Sequence, residues 1–106
     1  MTTDELELAG RFLLGNEWKR PLAKLLGPYH PDGHRDSLDP RLPFRWASGG
    51  RPIPRWVEIV LGLMLERRVV QLQSMARDAE RLAEDLARTR ELDGYVDSVV
   101  SRLDNP

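Results

Sequence analysis

Apolar residues recur along this chain at helical spacing, and no segment shows the strict alternation of a half-buried strand. Leu6, Ala9, Phe12 and Leu13 predict a first helix over residues 3–14, capped by Thr3 or Asp4 and stopped by Gly15-Asn16. Leu22, Leu25 and Leu26 form the stripe of a second helix over 18–26, with Lys19, Arg20 and Lys24 on its outer side. Pro21 falls in its first turn, where a missing N–H is harmless, and Gly27-Pro28 ends it. Residues 29–38 have no apolar period and are crowded with turn residues (Pro31, Asp32-Gly33, Asp36-Ser37), so they read as a loop. That is longer than the usual connection between helices. Asp39-Pro40 reads as the cap and first turn of a short helix reaching Ala47, with Leu42 and Trp46 on its inner face and Gly49-Gly50 as its stop.

Pro52-Ile53-Pro54 opens the longest element. Val57, Val60, Leu61, Met64 and Leu65 keep a helical stripe, after which the spacing becomes heptad-like. Leu65, Leu72, Ala79 and Leu86 take one position, and Met75 and Leu82 the other, with charged residues around them. Gly94 is expected to end this helix, and a short last helix carries Tyr95, Val96, Val99, Val100 and Leu103. The expected fold is therefore all-α. Residues 1–60 form a compact helical domain, and 61–106 form a long coiled-coil-like helix with a short terminal helix. A helix of about forty residues is about 60 Å long, more than a small domain covers. Its leucine seam then meets either a second copy, as a homodimer, or the returning terminal helix.

Composition narrows the class. The 106 residues suffice for one small domain, and the 41% hydrophobic content for a modest core. Cysteine is absent, so neither a disulfide framework nor a thiolate metal site is available. No apolar run follows a basic start and none is long enough to span a bilayer, so a soluble cytoplasmic protein without a membrane partner is expected. The net charge is −1, but its distribution is uneven. Between residues 35 and 55 five Arg stand against two Asp, whereas from residue 61 onward seven Arg stand against nine acids.

Candidate chemistry is sparse. His30 and His34 flank Asp32-Gly33, which breaks the helical spacing a histidine pair would need, so no metal site and no cofactor are expected. No cysteine nucleophile and no glycine-rich phosphate loop is present, and no Ser/His/Asp set can be placed together from the sequence, so an enzyme is not expected. Trp46 reads as a core residue, and Trp18 and Trp56 as core or rim.

The arginine-rich corner remains. The run Pro21-Leu22-Ala23-Lys24-Leu25-Leu26-Gly27, followed by Arg45-Trp46-Ala47-Ser48-Gly49 and Arg51-Pro52-Ile53-Pro54, resembles the lambda-repressor/Cro-like helix-turn-helix family of small bacterial and phage regulators. The likeness spans residues 18–57, 40 of the 106. The chain departs from that pattern by an insertion at 28–38 in the turn and by Pro43-Phe44 in the second motif helix. The resemblance implies a sequence-specific transcriptional regulator that binds double-stranded DNA. Arg41 and Arg45, at i, i+4 spacing, would read bases, beside Phe44 and Ser48. Arg35, Arg51 and Arg55 would hold phosphates. A dimer through Leu65, Leu72, Met75, Ala79, Leu82 and Leu86 would join two half-site readers. The inserted loop and Phe44 fit the alternative, a protein-binding module such as a small phage-encoded inhibitor or adaptor reusing the fold. A purely structural coiled-coil subunit is the third reading and leaves the arginines unexplained.

Overall fold

The computed structural model describes residues 1–88 and 91–105. All regular structure among them is helical: α1 (Thr3–Leu14), α2 (Lys19–Leu26), a 3-10 turn (Gly27–Tyr29), α3 (Leu42–Ala47), α4 (Arg55–Ala87) and α5 (Asp93–Asp104). No helix among the described residues is long and apolar enough to cross a membrane. The chain divides into two compact units, Met1–Val69 and Val70–Pro106.

The first unit holds the core. Leu6 and Ala9 from α1, Trp18 before α2, Leu22, Ala23 and Leu26 from α2, Leu38, Trp46 from α3, and Val57 and Leu61 from α4 form one buried cluster. Met64 and Leu65 pack at its edge. The unit therefore extends past residue 60, because the first turns of α4 supply part of its interior. α1 has the expected bounds but a different cap. Thr2, not Thr3 or Asp4, accepts the Glu5 N–H at 3.1 Å, while the Glu5 carboxylate accepts the Thr2 N–H at 2.8 Å. That backbone hydrogen bond from Thr2 is the main cause holding the Glu5 carboxyl below its ordinary range. Phe12, placed on the apolar face by spacing, is 64% exposed. The indole of Trp18 lies so close to α1 that a methyl on Gly10 would overlap its ring.

The connection from α2 to α3 is long but fastened. The chain does not stop at Gly27-Pro28. It tightens into the 3-10 turn, and the Gly27 carbonyl accepts from both His30 N–H (3.3 Å) and Arg35 N–H (3.0 Å). Leu38 N–H then donates to the Ala23 carbonyl at 3.0 Å, and the Leu38 side chain is buried. The loop thus adds donors to carbonyls at the end of α2, where the Ala23 carbonyl already accepts the Gly27 N–H. A Cβ on Gly27 would stand 2.6 Å from the Arg35 carbonyl oxygen, so only glycine permits this approach. α3 begins at Leu42 rather than at Pro40, because the Asp39 carboxylate accepts the Arg41 N–H at 3.0 Å and forms a turn ahead of the helix.

In the second unit α4 ends at Ala87, short of Gly94, which lies in the first turn of α5 instead of capping α4. None of the described residues beyond Val69 is buried. Leu72, Met75 and Leu82 are 41%, 65% and 58% exposed, and Ala79 and Leu86 are exposed as well. Within α5 only Val96 and Val99 are partly covered.

Candidate nucleic-acid interface

α3 has six residues, and its two sides differ in kind. Pro43 and Trp46 are buried and Leu42 is half-buried, which fixes the helix against α1 and α2. Arg41, Phe44, Arg45 and Ser48 fall at i, i+3, i+4 and i+7, and all four are exposed. The structure thus brings Arg41 and Arg45, the two expected base readers, onto one face with Phe44 and Ser48.

Their surroundings add two residues of α2. Glu17, Arg20, Pro40, Arg41, Phe44 and Arg45 line a shallow concavity of about 510 Å³. A neighbouring depression of about 490 Å³ runs from Asn16 to Pro21 and shares Phe44. The Lys19 ammonium sits 5.7 Å from the Phe44 ring centroid and 5.9 Å from that of Trp18, within cation–π range of both. Lys19 and Arg20 were not among the expected site residues. Their outward position on the second helix was readable, but their approach to α3 depends on how the two helices pack.

Arg41 is held by the chain's own acid. Its Nε and Nη2 donate to the two Asp39 carboxylate oxygens at 3.1 and 2.8 Å. The Arg41 side-chain hydrogen bonds are the largest cause holding the Asp39 carboxyl at about 2, down from 3.8, followed by its backbone N–H. The Nη1 edge of the guanidinium takes no part in this pair and still offers donors. Arg45 makes no ion pair among the described residues.

The remaining three expected contacts lie apart from this stripe. Arg35 and Arg51 line a different concavity, formed also by His30, Leu38, Asp39, Leu42, Trp46, Pro52, Pro54 and Trp56. Arg55 is the exposed first residue of α4 and lines neither. The corner between α3 and α4 is tightly tied: Ser48 Oγ donates to the Arg45 carbonyl at 3.1 Å, Gly49 has φ +78°, and Arg51 N–H donates to the Arg45 carbonyl at 3.3 Å. His30 packs edge-on against Trp56 at 5.4 Å, and its Nδ1 accepts the Asp32 N–H at 3.1 Å. No group of three potential metal ligands gathers among the described residues.

Between Lys19 and Arg55 eight Lys and Arg stand against three Asp, a surplus of five on a chain whose total is −1. Such a surplus of guanidinium and ammonium groups can attract an anionic surface. No protein-family model, curated protein or solved structure matches this chain.

Proposed function

We propose that the protein is a sequence-specific DNA-binding regulator whose α3 face meets duplex DNA, a diverged helix-turn-helix as the corner's sequence resemblance implies. The supporting observation is the exposed stripe Arg41-Phe44-Arg45-Ser48 flanked by Lys19 and Arg20, with Glu17 as the one acid lining the two depressions beside it and Asp39 paired to Arg41. Arg45 is the unclamped guanidinium and the main base reader. Arg41, oriented by Asp39, presents its outer edge. Phe44 and Ser48 supply apolar and hydroxyl contact, and Arg20, Lys19 and Arg55 meet phosphates.

A homodimer through the α4 seam belongs to the same proposal. Among the 34 described residues after Val69 none is buried, so that segment shows no core of its own, and exposed Leu72, Met75, Ala79 and Leu82 recur at seam spacing. A second copy covers that seam and doubles the number of α3 faces, which raises affinity through effective concentration.

The test is retardation of duplex DNA, first with a random pool and then with the sequences selected from it. Binding is expected at low salt and is expected to weaken by roughly 0.9 log units per log of salt for each phosphate neutralised. Arg45→Ala is expected to cost about 1–3 kcal/mol at the selected site and to relax its sequence preference. No retardation at low salt would refute the proposal. One feature favours a protein partner instead: α3 has only six residues, about 9 Å of helix, and Phe44 is 49% exposed between two depressions. A salt-insensitive complex with a protein, formed without DNA retardation and lost in Phe44→Ala, is the result that selects it.

A further inference from the structure

The concavity on the other side of α3 has a composition unlike the rest of the surface. It is an open depression of about 390 Å³, a volume within the range of small-molecule sites. Its base is apolar: buried Trp46 and Leu38, half-buried Leu42 and Trp56, and the two prolines Pro52 and Pro54. Exposed Arg35 and Arg51 line it as well, and neither makes an ion pair among the described residues. The only acid in the lining, Asp39, has both carboxylate oxygens engaged by Arg41. Two uncommitted guanidinium groups therefore meet an apolar recess with no acid left to balance them.

The backbone that carries these arginines is fixed in advance. Arg35 N–H is bonded to the Gly27 carbonyl, and Arg51 N–H to the Arg45 carbonyl. Trp56 is braced by the ring of His30. Little loop ordering remains to oppose binding, which favours affinity for a small ligand. Arg35 and Arg51 line this recess and not the two depressions beside Arg45, so the two sets of side chains serve separate surfaces.

We propose that this concavity is a binding site for a small aromatic carboxylate. A planar carboxylate matches the fork of a guanidinium in a two-point hydrogen bond. A flat ring fits between indole and proline surfaces, which take aromatic faces and edges. Because the recess lies behind Leu42 and Trp46 of the same short helix whose outer stripe carries Arg45, an occupant touches the helix that presents that stripe.

The experiment titrates the full chain, without DNA, with 2-naphthoate as the probe while the indole N–H resonances of Trp46 and Trp56 are followed by heteronuclear NMR. The isosteric neutral naphthalene-2-carboxamide and plain acetate are run alongside. A saturable shift at Trp56 with 2-naphthoate is expected, weakened about tenfold or more with the carboxamide and absent with acetate. The double variant Arg35→Gln/Arg51→Gln is expected to lose the 2-naphthoate response by a similar factor. Arg45→Gln is expected to keep it. Both arginines are exposed and unpaired, so the double variant stays folded, as an unchanged dispersion of the remaining resonances verifies. No saturable Trp56 shift, equal affinity for the carboxamide, or full retention in the double variant each overturns the proposal. None of these outcomes bears on DNA retardation, which rests on the opposite side of α3.

Discussion

The same substitution, glycine to alanine, is expected to act in opposite directions at two positions of this protein. Gly62 lies on the exposed side of α4, and a methyl there meets nothing within 4 Å. Only backbone propensity operates, so Gly62→Ala is expected to stabilise by about 0.8–1.0 kcal/mol. Gly10 lies in α1 and would gain the same propensity, but its methyl would overlap Cδ2 and Cε3 of the Trp18 indole and stand 2.8 Å from its Cγ. Trp18 is 2% exposed, and the ring is a rigid bicycle packed among Leu6, Ala9 and Leu22. A rigid ring can yield only by shifting as a whole, and overpacking of this kind costs about 1–3 kcal/mol. Subtracting a propensity gain of about 1 kcal/mol leaves Gly10→Ala destabilised by about 0–2 kcal/mol. The two variants should therefore differ by about 1–3 kcal/mol, and each kilocalorie moves Tm by about 4–8 °C in a unit of this size. Thermal unfolding followed by tryptophan fluorescence reads this directly, because Trp18, Trp46 and Trp56 all belong to the unit Met1–Val69. If Gly10→Ala gains as much as Gly62→Ala, Trp18 does not lie against α1 as described.

Three further outcomes test other parts of the structure. Gly27→Ala drives a methyl into the Arg35 carbonyl and the Ser37 backbone, so it is expected to destabilise the first unit by about 1–3 kcal/mol and to speed amide exchange at Leu38, measured by hydrogen exchange. The Asp39 carboxyl is held at about 2 against 3.8 unfolded, so its pairing with Arg41 is complete above about 4 and is lost as pH falls through 2; carboxyl carbon shifts should titrate there, and Arg41→Gln should return the midpoint towards 3.8. Leu72→Lys with Leu82→Lys is expected to halve the mass seen by light scattering, and an unchanged dimer mass would exclude that seam.

Periodicity read the interior well because each buried stripe is a local property. Leu6 and Ala9, Leu22 and Leu26, Trp46, and Val57 with Leu61 are buried where spacing places them. The Thr2 cap was available in the pattern Thr2-Thr3-Asp4-Glu5, since a threonine followed three residues later by glutamate forms a reciprocal pair. The end of α4 was not: no glycine or proline stands between Ala87 and Asp93, and propensity alone marks no stop there. The exposed stripe on α3 followed from counting residues. The separation of Arg35 and Arg51 from that stripe did not, because Arg35 is placed by bonds to Gly27 and Ala23 that fold the loop back, and Arg51 by the turn that ties its N–H to the Arg45 carbonyl. Spacing along the chain groups arginines by distance in sequence, and only packing sorts them onto different sides of a short helix.

The clasped loop between α2 and α3 also has a practical use. Its ends are anchored by Gly27, Arg35 and Leu38, while the tip around Asp32, Gly33 and His34 is exposed, and Gly33 sits at φ +125° with open space about it. Foreign residues spliced into that tip hang from two closed buckles. An affinity tag or fluorophore grafted between Asp32 and Gly33 therefore leaves α3 in place, which makes this bend the natural handle for immobilising the protein with its arginine-bearing helix unobstructed.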